Sequence, residues 1–332
     1  MNVTIKHVAE RAGVSTATVS RVVNKDTRIS AATREKVEQA VRDLGYRVNT
    51  VARSLKSKRT RSIGLLAPEF ANDFFMRVAE GVEDRLAEDG YSMFLVNSRE
   101  SLEREQLSLG LLIEKQVDGI IIIPTSNEAE YIEAIRRGGT PVVLVDRLVS
   151  NFHGDAILVD NEDATYNATR RLVESGRCSF GFIGGRPHVT TAVERHAGFV
   201  RAVEESGCRV DPNHIQFGDF DEESGYTLME AIMNTANPPD TIVLGNYFSH
   251  LGALRYVGTH RDAVPKSLFF VSFDDTVLSG IIGIPSIQIA QPVDELGRRA
   301  AERLLLRING NSSFPYQVER LRTRITEYGI AG

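Results

Sequence analysis

"GVSTATVSRVVN", residues Gly13 to Asn24, decides how the head of this chain is read. Its hydroxyl and alanine side chains are short where most helices carry bulk, while Val19, Val22 and Val23 recur at helical spacing. Ser15 can cap such a helix, the valines face inward, and Thr16, Ala17, Ser20 and Arg21 are left on the outer face. Upstream, Ile5, Val8, Ala9 and Ala12 form a helical stripe after Thr4, a candidate N-cap, and Gly13 permits a tight turn. Downstream, Ser30 and Gly45 frame a third helix whose buried stripe is Val37, Ala40, Val41 and Leu44. Three short helices with a glycine turn between the first two describe a helix-turn-helix. A recognition helix entering a major groove roughly 12 Å wide needs short outer side chains at its N-terminal end, so that DNA fits against it. A small helical protein-docking module is the competing reading of the same pattern.

Charge separates this head from the rest. Over 332 residues the net charge is −5, but residues 1–61 hold 14 Lys/Arg against 5 Asp/Glu, while the remaining 271 hold 25 against 39. A head of +9 on a body of −14 points to a polyanion as the head's partner, because clustered cations neutralise phosphates and release counterions. The length calls for more than one packed unit. With no 18-residue apolar run and no secretory pattern at the N-terminus, a soluble, cytosolic protein without a membrane partner is expected. Cys178 and Cys208 lie far apart with no C-x-x-C, which favours two idle thiols over a disulfide.

The stretches "TIKHVAERAGVSTATVSRVVN", "TREKV", "LGYRVN" and "NTVARSL" together resemble the head of the lactose/galactose repressor (LacI/GalR) family. The candidate DNA contacts are Thr4, Ser15, Thr16, Ala17, Thr18, Ser20, Arg21 and Asn24 in the head, with Asn49, Arg53, Leu55 and Lys56 beyond it. His7 departs from the family, which usually has there an acidic residue reaching back to the helix cap. The segment "NTVARSLKSKRT", Asn49 to Thr60, can form one or two helical turns, too short to hold in water without partners, so disorder is expected when it is free. Leu55 is apolar in a basic setting, where it could wedge into a minor-groove base step or pack on its own body. The resemblance implies the wedge: hinge helices of two subunits fold together on DNA, with Leu55 at a central CG step of the operator.

From Ser62 onward, apolar runs alternate with helical patterns: "SIGLLAP", "SMFLVNS", "DGIIIIP", "PVVLVDR", "AILVDN", "SFGFIGG", "DTIVLGN", "LFFVSFDD" and "SIQIAQ". The alternation predicts parallel sheets covered on both faces by helices, in two βα domains. Ligands in such folds bind beyond the carboxyl ends of strands. Those ends supply Asp146-Arg147, Asp160-Asn161, Asn246, Asp274-Asp275 and Gln291, joined by "NDFF" and "GDF". Carboxylates, amides, an arginine fork and aromatic rings suit a small sugar, whose vicinal hydroxyls need paired acceptors and donors and whose apolar face needs a ring.

The body resembles the effector domain of the same family, itself similar to periplasmic sugar-binding proteins, through "ERHAGF", "GDFDEESGY", "VSFDD" and "IAQPVDELGRRAAERLL". On that resemblance Asn72, Phe74, Phe75, Asp146, Arg147, Arg195, Phe220, Asn246, Asp274 and Gln291 match sugar contacts of the ribose-type binding proteins. Two positions depart: Ile123 replaces an asparagine and Tyr247 an aspartate. The ligand could then be a pentose, a hexose or a cyclitol.

Enzyme signatures are missing. "GFIGGRP" lacks G-x-G-x-x-G spacing, and there is no P-loop, no G-x-S-x-G elbow and no H-x-x-x-H pair, so no cofactor or metal is expected. The expected architecture is α/β with an all-α head: residues 1–48 the helix-turn-helix, 49–61 the hinge, and 62–332 a body of two lobes. The first lobe would take about 62–160 plus 292–320, the second about 161–291 plus 321–332. The expected function is a homodimeric, ligand-controlled transcription regulator, a repressor released from a pseudo-palindromic operator by a monosaccharide. A purine- or nucleoside-responsive co-repressor type and a transport-type sugar receptor are the alternatives.

Overall fold

The computed structural model describes residues 3–23, 26–46, 59–275, 281, 283–310 and 314–329. The chain divides into two compact units, Met1–Thr60 and Arg61–Gly332.

The first unit holds helices α1 (Ile5–Ala12), α2 (Thr16–Val23) and α3 (Ala31–Leu44). Each begins where a side chain satisfies a loose backbone group. Ser15 Oγ accepts from the Thr18 backbone N–H at 3.1 Å, and Ser30 Oγ from that of Thr33 at 3.3 Å. Gly13 and Gly45 end α1 and α3 at φ of 66° and 59°, the left-handed conformation that glycine adopts without a Cβ clash. At the first cap His7 does the work of the acid it replaces: its Nδ1 accepts from the Thr4 backbone N–H at 3.2 Å. Val8, Ala9, Val19, Val22, Val37 and Ala40 form a small buried core among the three helices.

The second unit is two lobes of the same design. In the first, β1 (Ser62–Ala67), β2 (Ser92–Asn97), β3 (Gly119–Ile122), β4 (Val142–Val145), β5 (Asp155–Val159) and β11 (Val318–Leu321) form one sheet in the order β11-β5-β4-β3-β1-β2, parallel throughout. In the second, β6 (Phe180–Gly184), β7 (Ile215–Phe217), β8 (Thr241–Leu244), β9 (Phe269–Phe273), β10 (Ser286–Ala290) and β12 (Arg324–Tyr328) take the order β12-β10-β9-β8-β6-β7, with only β12 antiparallel. The inner strands are apolar on both sides because helices cover both. On the first sheet these are α4 (Asp73–Glu88) and α11 (Val293–Ile308) on one face, α5 (Leu102–Glu114) and α6 (Glu130–Arg137) on the other. On the second they are α7 (Asn161–Glu174) and α8 (Thr190–Ser206) opposite α9 (Glu222–Met233) and α10 (Tyr247–Thr259). The chain passes between lobes after β5, after β10 and between β11 and β12. Among the described residues no helix is long and apolar enough to cross a membrane.

Three of the twelve described body strands were not in the sequence pattern: β7, β11 and β12. All three lie at or beside a sheet edge, where one side meets solvent, and "VERL" and "RITEY" carry charges accordingly. The expectation of two thiols is corrected: Cys178 and Cys208 are joined in a disulfide. Cys178 stands just before β6 and Cys208 just after α8, and since α8 runs back along the strand it follows, the two Cα atoms come within 5.3 Å. A separation of 30 positions along the chain hides that approach from the sequence.

Glycines let paired helices touch. A Cβ on Gly81 of α4 would lie 2.5 Å from the Asp294 carbonyl oxygen of α11, and one on Gly297 of α11 would intrude on the Val78 carbonyl of α4. Gly198 of α8 and Gly252 of α10 meet the Glu162 and Glu222 carbonyls of their partners in the same way. Backbone atoms cannot rotate aside, so Gly297→Ala is expected to destabilise the body by about 1–3 kcal/mol, the usual cost of overpacking, seen as a lower urea midpoint. An unchanged midpoint would mean that α4 and α11 can separate at no cost.

Candidate functional site

Two surfaces carry chemistry. On the head, α2 turns Thr16, Ala17 and Arg21 outward, with Ser15 exposed at its start and Thr18 and Ser20 half-buried. Burying Val19 and Val22 fixes that orientation, because residues three apart share a face. Thr4 is exposed at the start of α1. Asn24, Asn49, Arg53, Leu55 and Lys56 lie outside the described residues.

In the body, a cavity of about 330 Å³ lies between the lobes at the carboxyl ends of their strands. All ten residues matched to sugar contacts line it: Asn72, Phe74 and Phe75 from the start of α4, Asp146 and Arg147 after β4, Arg195 from α8, Phe220 before α9, Asn246 before α10, Asp274 after β9 and Gln291 after β10. Asn72 and Asn246 also cap helices, accepting from the Phe74 and Ser249 backbone N–H groups at 3.1 and 2.9 Å. Capping explains why an amide sits at those positions, and it fixes the amides at the cavity wall.

The charged groups are buried and interlocked. Arg147 donates through both terminal nitrogens to Glu100, at 3.0 and 2.8 Å, and to the Pro124 carbonyl at 3.1 Å, while its guanidinium lies 5.1 Å from the Phe220 ring centre of the other lobe. Arg195 donates to Asn161 Oδ1 at 2.8 Å and to the Gly245 carbonyl at 2.6 Å, flat against Phe273. Gln291 Nε2 donates to Asp274 Oδ1 at 2.7 Å, and Asp274 Oδ2 receives the Tyr247 backbone N–H at 3.2 Å. Asp146 and Asp274 take φ of 64° and 70°, positions that aspartate tolerates better than most side chains and that turn both carboxyls into the cleft. Burial pushes both carboxyls above the ordinary aspartate range, against the pull of Arg195. Burial likewise lowers Arg195, opposed by the two aspartates. Three buried polar atoms here lack a hydrogen-bond partner, Asp146 Oδ1, Gln291 Oε1 and Arg147 Nε, the last lying 3.8 Å from Asp146 Oδ2.

Some strand-end candidates point elsewhere. Asp275 accepts from Tyr328 OH at 2.7 Å, and Asp160 from the Thr323 backbone N–H at 2.9 Å. Asn161 stands behind Arg195 and orients it. Ile123 is fully buried in the first lobe's core, and Tyr247 is half-buried at the start of α10; neither lines the cavity. Glu100, Arg186 and Thr191 also line it and were not singled out from the sequence, and Asp219 of the "GDF" stretch joins them. Glu100 lies beyond β2, in a stretch that the strand-end rule already covered, and Arg186 follows the "GFIGG" run that was read only as a turn.

The comparisons with known proteins agree with this layout. Residues 4–49 match the bacterial regulatory proteins of the lacI family, and residues 60–325 match the periplasmic binding proteins and sugar binding domain of that family. The chain belongs to the LacI family. Its relatives include the HTH-type transcriptional repressor PurR of Pasteurella multocida, 34% identical over 93% of each chain. Among solved structures, the lac repressor dimer bound to operator and the anti-inducer ONPF superposes over the full length of both chains at a TM-score of 0.85 and 26% identity. A proposed ribose operon repressor from Burkholderia thailandensis covers 81% of this chain and all of its own, at a TM-score of 0.74 and 26% identity. This LacI-family chain is therefore a DNA-binding transcription regulator with a ligand-binding body, in a family of regulators, not enzymes.

Asp146 offers a check on the cavity's electrostatics. With its folded pKa above the ordinary 3.8, the folded protein holds that proton more tightly than the unfolded chain, so this group's contribution to stability is full below 3.8 and falls as pH rises through the folded value. Asp146→Asn is expected to raise the ligand-free thermal midpoint at pH 7 by a few degrees and to change it least near pH 4. A lower midpoint than wild type at pH 7 would mean that attraction to Arg195 outweighs the burial cost.

Proposed function

We propose that the protein is a homodimeric repressor, acting in the cytoplasm, that leaves a pseudo-palindromic operator when a monosaccharide fills the body's cavity. The observation that carries this reading is the convergence of ten residues, scattered from Asn72 to Gln291, on one cavity of about 330 Å³, a size that suits a single sugar ring. Asp146, Asp274, Asn72, Asn246 and Gln291 would pair with hydroxyls, Arg147 and Arg195 would donate to ring or hydroxyl oxygens, and Phe74, Phe75 and Phe220 would cover the apolar face of the ring. Thr16 and Ala17 would meet base edges and thymine methyls, while Ser15, Ser20 and Arg21 reach guanine or phosphate.

Dimerisation is supported by apolar side chains left exposed beside the open edge of β2: Phe94 on the strand, and Leu107 and Leu111 one turn apart on α5. A two-fold dimer would present two α2 helices to two half-sites, and the hinges between would carry Leu55 to the operator centre. Ligand control then needs only a difference in affinity: the sugar binds the DNA-free arrangement of the lobes more tightly, and that difference bounds the extent of release.

A purine or nucleoside co-repressor is the second reading, favoured by the similarity to PurR and by the ring of Phe74, Phe75, Phe220 and Phe248 at the cavity, which could stack on a base. Thermal midpoints with ribose, other pentoses, hexoses, inositols, purines and nucleosides separate the two. A ligand at 100 times its dissociation constant adds about 2.7 kcal/mol. Stabilisation by a sugar or cyclitol supports induction, and stabilisation by a purine or nucleoside alone overturns it. Asp274→Ala and Phe220→Ala are each expected to abolish the effector response with operator affinity retained; loss of both properties in both variants would make these residues structural. Leu55→Ala is expected to weaken operator binding far more than non-specific DNA binding, and an unchanged ratio would remove the wedge.

A further inference from the structure

We propose that the cavity rejects anionic effectors, so that a sugar is sensed only in its unphosphorylated, uncharged form, and that Glu100 and Asp219 set this selectivity by occupying the arginines that would otherwise grip a phosphate. The inference rests on reading the cavity as the effector site; it does not require that the effector be a sugar.

An anion in a cleft is ordinarily held by an arginine fork or by an open helix N-terminus. Here three of the four arginines lining the cavity, Arg147, Arg186 and Arg195, are engaged by protein acceptors. Arg147 spends both terminal nitrogens on the two Glu100 oxygens and on the Pro124 carbonyl. Arg186 donates Nε to Asp219 Oδ1 at 2.7 Å and Nη1 to the Glu100 carbonyl at 3.2 Å, with Glu100 Oε2 at 3.8 Å from the same nitrogen. Arg195 is turned toward Asn161 and the Gly245 carbonyl, in the field of Asp146 and Asp274. Two helix N-termini at the cavity already face carboxylates: Asp221 caps α9 through the Ser224 N–H at 2.7 Å, and Asp274 receives the first N–H of α10.

The sum of charge and the unmatched atoms point the same way. Seven carboxylates line the cavity, Glu69, Glu100, Asp146, Asp219, Asp221, Glu222 and Asp274, against the four guanidiniums of Arg99, Arg147, Arg186 and Arg195. A phosphate would enter an excess of negative charge in a partly desolvated space, where repulsion is least screened. The buried atoms without a hydrogen bond are two acceptors, Asp146 Oδ1 and Gln291 Oε1, and one donor, Arg147 Nε. Hydroxyl groups can satisfy all three, being donors and acceptors at once, whereas a phosphate dianion offers acceptors only. Glu100 belongs to the first lobe and Arg186 and Asp219 to the second, so the group that blocks anions also bridges the cleft.

The test uses the full-length protein at constant ionic strength, with calorimetric and thermal-midpoint titrations of matched probes: ribose and ribose 5-phosphate, glucose and glucose 6-phosphate, myo-inositol and its 1-phosphate, hypoxanthine and inosine 5′-monophosphate, and inorganic phosphate alone. Wild type is expected to ignore inorganic phosphate and to bind any phosphorylated partner at least about tenfold more weakly than its neutral parent. Glu100→Gln, Asp219→Asn and the double variant are expected to gain affinity for inorganic phosphate or a phosphate ester by about tenfold or more as Arg147 and Arg186 are released. Wild-type binding of any phosphorylated probe as tightly as its parent, or of inorganic phosphate, overturns the proposal. So does the failure of every folded variant to gain anion affinity. If hypoxanthine binds, the sugars do not, and the anions stay excluded, the sugar reading falls while this one stands.

Discussion

A guanidinium buried among carboxylates contributed by separate strands is the constraint on which the body depends. Arg195 is 4% exposed, and its desolvation at that depth is offset in part by the opposite charge and hydrogen-bond acceptors around it. Asp146 comes from the first lobe, Asp274 from the second, and Asn161 and the Gly245 carbonyl complete the acceptors. The electrostatics of one arginine thus link both lobes. On the proposed reading, a ligand that inserts hydroxyls among these groups would change the balance that holds the lobes together, a physical route from binding to a change of shape.

That arrangement is possible because the two lobes repeat one topology. Residues directly after β4 and β9, Asp146 and Asp274, both adopt left-handed backbone and donate their N–H to the neighbouring strand, at the Ile157 and Ile289 carbonyls. Each lobe therefore delivers a carboxyl to the cleft from an equivalent place. Behind them, helix pairs that touch at glycine hold each sheet's cover close to the strands, and close packing resists small displacements of the residues at the strand ends. The rigidity lies within a lobe, while polar links such as the Thr190 hydroxyl against the Leu148 backbone, at 2.9 and 3.0 Å, join one lobe to the other.

The head is built on a different principle. Its core is six small or medium side chains, enough to orient α2 but leaving little apolar area to spare. Caps carry much of the definition, and the replacement at His7 shows that the first cap needs an acceptor for the Thr4 N–H and not a negative charge. What remains on the outside of α2 is short and polar.

The sequence by itself determined the three head helices and their caps, nine of the twelve described body strands, and the strand-end residues of the cavity, because these follow from local rules: helical spacing, apolar runs, and the polar residues that end buried parallel strands; Arg195, inside α8, follows only from the family resemblance. Tertiary structure alone decided which strand-end groups face the cleft. It turned Asp274 inward and Asp275 toward Tyr328, buried Ile123 beneath the sheet, and brought Glu100 from beyond β2 to Arg147, Arg186 and the second lobe. It likewise joined Cys178 to Cys208 and made two charged segments, β11 and β12, the edge strands of the two separate sheets. The reason is the same in each case: side-chain direction within a loop, and contact between segments distant in the chain, are fixed by where strands and helices return in space, and no local pattern of residues carries that information.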